Sequence, residues 1–264
     1  MAILDNNEFQ FLGSFGKVTA YRMRGSDKII LRAKGGPSKR QIQTSPNFEH
    51  TRLNNAEFCG AVTAAKAIRS TIVFPIQDLA DHNFSPKFVG ICRKIQLLDK
   101  ENEKGQRGVR LSAHRELLAG FRLNKKDPFL NIVHSPLHLV LDRETKTAVV
   151  QLPRLTKRMN LELRWKLPLY RFQFSLGIVE DIVHDGNGYN EPERLPIATA
   201  ETEWHKNETD FSPRKVELKL DIPKPLRETQ TIILSIGIEM GRYDGRGEIE
   251  RVRYTGSACI LALG

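Results

Sequence analysis

Apolar and polar residues alternate with a period of two through most of the second half of the chain. Leu161, Leu163, Trp165 and Leu167 stand at every other position, as do Phe172, Phe174, Leu176 and Ile178. The same spacing returns in Val216, Leu218, Leu220 and Ile222, and again in Ile232, Leu234, Ile236 and Ile238. Ile132, Leu139, Leu141, Val149 and Val150 lie in shorter runs split at Asp142–Lys146, and Tyr254, Cys259, Ile260 and Leu261 close the chain. Turn signals at 185–188 (Asp-Gly-Asn-Gly), 223–225 (Pro-Lys-Pro) and 244–247 (Asp-Gly-Arg-Gly) separate these runs. Successive side chains on a strand point to opposite faces, so such alternation marks strands with one buried face. Several of them, punctuated by Gly and Pro, predict a mainly antiparallel β-sandwich. Trp165, Phe172, Phe174, Leu218, Leu220, Leu234 and Ile236 are its expected core.

The pattern before residue 108 differs. Residues 17–34 read as two strands joined by a three-residue loop, Gly25-Ser26-Asp27. That loop sets Arg24 opposite Lys28 and Arg22 opposite Ile30, which gathers Tyr21, Met23, Ile29 and Leu31 on one face and the cations on the other. The cation-bearing face then carries no aromatic residue. Gly35-Gly36-Pro37 breaks the strand, and Ser45-Pro46 supplies an N-cap and a first-turn proline for a helix. Phe48, Phe58, Cys59, Val62, Ala65 and Ile68 form its expected apolar stripe. Ala56, Gly60 and Ala64, spaced by four, form a flat strip for close packing on another helix or on a second copy. Ser85-Pro86 starts a second amphipathic helix through Phe88, Val89, Cys92, Ile95 and Leu98. The expected fold is therefore α+β: a small N-terminal β-hairpin with a helical module over 1–107, then the sandwich over 108–264.

Charge sharpens this division. The chain of 264 residues carries a formal charge of +10, with 22 Lys and Arg against 12 Asp and Glu in residues 1–129 and 19 against 19 thereafter. A one-sided excess suits an anionic partner. The candidate binding residues are Arg22, Arg24, Lys28, Arg32, Lys34, Lys39 and Arg40. An ordinary solvated edge strand carries similar charges to block aggregation.

The usual catalytic and metal patterns are not met. His134 and His138 flank Pro136 in a strand-like context, where positions four apart lie about 13 Å from one another, too far to share one zinc. Gly35-Gly36-Pro37-Ser38-Lys39 is out of order for a phosphate loop, and Gly256-Ser257 lacks the surroundings of a nucleophile elbow. Cys59, Cys92 and Cys259 are scattered and odd in number, which favours buried thiols in a reducing compartment. The opening MAILDNNEFQF does not read as a signal peptide, and no apolar run approaches a membrane span. The expectation is a cytoplasmic protein that is not an enzyme, with no cofactor, metal or membrane partner.

The order G-S-F-G-K-V, Y-R-M-R-G, I-I-L-R, S-P-N-F-E and A-K-A-I-R, with S-I-G-I-E-M-G and Y-T-G-S-A-C-I-L near the end, resembles a family of uncharacterised Bacteroidota proteins with a domain of unknown function. The resemblance implies a bacterial, non-secreted protein with a two-part layout, and implies no activity or catalytic residue. The residues point first to a structural or assembly protein that self-associates, or contacts a scaffold, through its basic N-terminal module. The alternative is a nucleic-acid-binding protein that uses the basic hairpin face.

Overall fold

The computed structural model describes residues 2–4, 11–22, 28–33, 35–81 and 84–264, the first of these by backbone alone. The chain divides into two compact units, 1–52 and 53–264, whereas the sequence pattern placed the division at 107/108. The difference arises because the helices after Arg52 bury their apolar faces in the core of the β-rich unit.

The first unit holds β1 (Ala2–Leu4), β2 (Gly13–Phe15), β3 (Val18–Arg22) and β4 (Ile29–Ala33) in one antiparallel sheet of order β1-β4-β3-β2. The β3–β4 register pairs Arg22 with Ile29 and Tyr21 with Ile30, one place from the expected pairing of Arg22 with Ile30. This one-place shift from the expected register reverses which β4 residues share a face with which β3 residues. Met23, Arg24, the proposed loop and Lys34 lie outside the described residues. Next comes α1 (Lys39–Thr44), whose N-cap Ser38 accepts from the Gln41 N–H while the Gln41 side chain accepts from the Ser38 N–H, a reciprocal capping box. Arg52 Nη1 closes its other end by donating to the carbonyls of Ile42 and Ser45. The Ser45-Pro46 start gives a 3-10 turn, Pro46–Phe48, that leads into α2 (Glu49–Ser70).

Most of α2 belongs to the second unit, with α3 (Phe74–Gln77) and α4 (Phe84–Leu98). No helix among the described residues is long and apolar enough to cross a membrane. Two antiparallel sheets follow. β5 (His138–Asp142), β6 (Thr147–Leu152) and β10 (Arg214–Lys219) form a sheet of order β10-β6-β5. β7 (Leu169–Glu180), β8 (Ala198–Glu201), β11 (Gln230–Tyr243) and β12 (Ile249–Leu263) form a larger one, of order β12-β11-β7-β8, and β9 (His205–Lys206) pairs with the start of β7. One face of the larger sheet, through Phe172, Phe174, Leu176, Ile232, Leu234, Ile236 and Ile238, packs on Ala148, Val150, Val216 and Leu218 of the smaller one, which makes the sandwich. The opposite face, with Val179, Ile233, Ala258 and Ile260, packs on Ile68, Ile76, Phe88, Cys92 and Ile95 of the helices. The second unit is thus layered as helices, large sheet, small sheet.

β7 and β11 are buried on both faces, yet their helix side is built from small and polar residues such as Ser175, Gly177, Ser235 and Gly237. Backbone proximity explains this choice. A Cβ on Gly177 would lie 2.7 Å from Thr71 Cβ, and one on Gly237 would lie 2.9 Å from Leu79 Cδ1. Ser175 Oγ donates to the Thr71 carbonyl at 2.7 Å and accepts the Val73 N–H at 3.2 Å, fixing the end of α2 on the sheet.

Two expectations fail within this unit. Residues 161–167 alternate in burial as their sequence implies, but they are irregular apart from the bridges of Leu161 to Val133 and Lys157. Trp165 is accordingly half-buried against the core, whereas Phe172, Phe174, Leu218, Leu220, Leu234 and Ile236 are buried. On α2, Phe58, Cys59 and Val62 face outward, and the buried face is Glu57, Gly60, Ala61, Ala64, Ala65, Ala67 and Ile68. The flat, small-residue side can approach the rest of the fold more closely than the bulky stripe can, so it takes the interior.

Candidate functional site

The N-terminal sheet presents two unlike faces. Pairing of Phe15 with Val18, Ala20 with Leu31 and Arg22 with Ile29 places Phe15, Val18, Ala20, Arg22, Ile29 and Leu31 on one of them. Ala20 and Ile29 are buried, while Phe15 is 81% exposed and Val18 43% exposed. Among the described residues β2 is an edge strand of this sheet, and Phe11 and Leu12 just before it are exposed too. The other face carries Ser14, Thr19, Tyr21, Ile30 and Arg32, with Lys28 continuing the alternation one residue before β4. Ser14 and Thr19 hydroxyls meet at 2.9 Å there. Tyr21 is 42% exposed and lies across from Ile30, whose same-face neighbours along the chain are Lys28 and Arg32.

The proposed cationic face is therefore divided. Arg22 lies on the apolar side, Lys28 and Arg32 lie with Tyr21, and Lys39 and Arg40 occupy the first turn of α1, all five exposed. Arg24 and Lys34 fall outside the described residues. The expectation that no aromatic accompanies the cations is overturned by the register, which brings Tyr21 among them.

The Ala56, Gly60 and Ala64 strip has its partner inside the chain. Gly60 and Ala64 are buried and Ala56 is half-buried, and a Cβ on Gly60 would lie 2.5 Å from the Tyr189 ring. The strip thus seats a loop tyrosine rather than a helix. Gln96 Nε2 donates to the Tyr189 hydroxyl at 3.2 Å, and that hydroxyl donates to the Arg107 carbonyl at 2.9 Å.

Among the described residues two carboxylates are wholly buried, and both are committed. Glu57 accepts from Arg107 Nε at 2.6 Å and Nη2 at 2.9 Å, from Arg93 Nη1 at 3.0 Å and from the Gly105 N–H at 3.0 Å. Burial pushes its carboxyl up, but the Arg107, Gly105 and Arg93 hydrogen bonds together outweigh that and hold it below the usual range. Glu239 accepts from Arg171 Nε at 2.6 Å, Gln173 Nε2 at 2.5 Å and Arg251 Nε at 2.5 Å. Asp181 behaves differently. Its main burden is desolvation, and although Ser112 donates to it through both N–H and hydroxyl, its carboxyl is raised. These charges anchor loops and strands.

Burial pushes the Cys92 and Cys259 thiols up to about 12, which keeps them inert, while Cys59, expected inside, is exposed on α2. His134 faces Glu162 at 3.6 Å. Among the described residues no group of three or more His, Cys, Asp or Glu is placed to hold a metal ion. The residues that sequence reasoning passed over are Phe15, Val18 and Tyr21. Their roles depend on strand register, which hangs on a connection that composition does not fix. No family model, curated protein or solved structure matches this chain.

Proposed function

We propose that the protein is a non-enzymatic assembly protein whose N-terminal sheet contacts a neighbouring copy of the chain. The observation that carries this reading is the exposed apolar edge: Phe15 at 81% exposure, with Val18, Phe11 and Leu12 exposed beside it. Isolated apolar residues on a surface are ordinary, but several together on a sheet edge mark a contact surface. An edge strand also offers unpaired main-chain groups to a second strand. The basic excess of this unit, nine Lys and Arg against four acids, sets register and orientation in such a contact more than it supplies affinity. The α2 strip takes no part, because Tyr189 already occupies it.

A specific observation favours nucleic acid as the second reading. Tyr21, between Lys28 and Arg32 and beside the Ser14 and Thr19 hydroxyls, combines a stacking ring with phosphate-binding cations. Two double variants separate the readings when elution volume and retention of a labelled single-stranded oligonucleotide are measured together. Assembly predicts that Phe15→Ser/Val18→Ser shifts elution to a smaller species, while Tyr21→Ala/Arg32→Ala leaves elution unchanged. Nucleic-acid binding predicts that the second variant releases the oligonucleotide and the first retains it. Wild-type protein that elutes as a monomer and retains the oligonucleotide overturns the assembly reading in favour of the second.

A further inference from the structure

The large sheet has a gap beside β7. On one side β7 pairs with β11 along its entire length, Leu169 to Glu180. On the other it is paired only in pieces: Leu169 and Tyr170 with β9, and Gln173 to Leu176 with β8. Main-chain groups alternate sides along a strand, and the even-numbered residues here turn toward this broken side. Thr202 N–H donates to the Phe172 carbonyl at 2.9 Å, and further along Val109 and Ile182 exchange bonds of 2.7 and 3.1 Å. Between those points lie Ile178 and Glu180. Among the described residues, their main-chain N–H and carbonyl groups have no protein partner on this side.

The sequence explains why β8 does not fill the gap. Leu176 pairs with Ala198, so the same register carried two places further sets Ile178 opposite Pro196. Proline has no N–H to complete that pair, and a ladder ends where its donor is missing. The chain leaves the sheet there, and residues 191–197 run without regular structure between β8 and Tyr189, which is anchored on Gly60 and the Arg107 carbonyl. Between this strap, the Lys66 and Ala67 side of α2, and Ile178 and Val179 of β7 lies a cavity of about 540 Å³. That volume is ligand-sized.

We propose that this slot takes a short extended peptide segment of a partner protein, added as a strand beside β7 and bonded to the main chain of Ile178 and Glu180. Strand addition to an open sheet edge draws its affinity from main-chain bonds and its selectivity from flanking pockets. The walls at Ala67, Val179 and Leu195 suit apolar or hydroxyl side chains. Lys66 and Arg194 on the lining are balanced by Glu191 and Glu193, so the segment is selected by extended shape rather than by net charge, and proline at the paired positions is excluded.

Amide hydrogen exchange read by NMR tests this directly. The probes are three acetylated and amidated hexapeptides that alternate Val with Thr, Lys or Glu, each added to millimolar concentration. At least one is expected to slow exchange of the Ile178 and Glu180 amides by about tenfold or more, with Gly177 and Val179, which face β11, unchanged. N-methylating alternate amides of that peptide abolishes the effect in one parity and spares it in the other. Pro196→Thr restores the missing donor, so the strap is expected to close on Ile178 and peptide binding to be lost. Absence of protection with all three peptides, equal effects of the two N-methylated parities, or unaltered binding in Pro196→Thr overturns the proposal. Phe15→Ser/Val18→Ser leaves peptide protection intact, which keeps this slot distinct from the N-terminal contact.

Discussion

At the scale of single residues, buried polar and tightly packed groups decide most of what can be tested. Glu57 is fully buried and held by two arginines and a main-chain donor, so Glu57→Ala leaves those donors without their acceptor. Breaking a buried pair in this way costs about 3–5 kcal/mol, to be read from urea unfolding. Glu57 and Asp181 drive stability in opposite directions with pH. The folded-state value of Glu57 is lowered, so its contribution is complete above the ordinary glutamate range and is lost as pH falls through the folded value. The value of Asp181 is raised, so its contribution is complete below the ordinary aspartate range and is lost as pH rises through the folded value. Asp181→Asn can keep both Ser112 contacts and removes the titration. Its stability relative to wild type is therefore expected to rise from acid to neutral pH, and a pH-independent difference would contradict this assignment. Gly60 illustrates what sequence can and cannot say. The four-residue spacing of Ala56, Gly60 and Ala64 signals close approach, but nothing local names Tyr189, which comes from a distant loop. Gly60→Leu overpacks that contact and is expected to cost about 1–3 kcal/mol in thermal or urea unfolding without altering oligomeric state.

At the scale of elements, legibility followed the number of independent constraints on each segment. The alternation at Phe172–Ile178 and Ile232–Ile238 identified β7 and β11 because one face of each must meet the small sheet. The same alternation at Leu161–Leu167 gave the right burial and the wrong element, since alternate burial needs only an extended chain and a strand also needs a hydrogen-bonded neighbour. The expected stripe of α2 is buried at Ala65 and Ile68 but faces outward at Phe58, Cys59 and Val62, for a related reason. Phe58 and Val62 look like core in isolation, but the tight seat of Tyr189 on Gly60 calls for a small residue on the inward side. In the N-terminal sheet, a one-place shift in register separated Arg22 from Lys28 and Arg32 and brought Tyr21 to the latter pair. The sandwich itself predicts that Phe174→Ala, fully buried between the sheets, costs about 3–5 kcal/mol in chemical unfolding. A change under about 1 kcal/mol would mean the two sheets do not pack there.

At the scale of the molecule, the second unit is covered on both faces of its large sheet and open beside β7. Its large sheet is covered by helices on one face and by the small sheet on the other, and its fully buried carboxylates, Glu57 and Glu239, are bound by arginines. The first unit carries half of the chain's basic excess, nine Lys and Arg against four acids, and the exposed apolar edge of β2 and β3. The α+β class and the presence of a sandwich were readable from periodicity. The division at Arg52 was not, because α2 to α4 are separated in sequence from the strands on which they pack. Sedimentation equilibrium of the wild-type chain over a range of concentrations tests the central claim most directly. Assembly through the N-terminal edge predicts a mass at a multiple of 30.1 kDa that falls to 30.1 kDa in Phe15→Ser/Val18→Ser with folding intact. A wild-type mass of 30.1 kDa throughout, or a multiple unchanged in the variant, would contradict it.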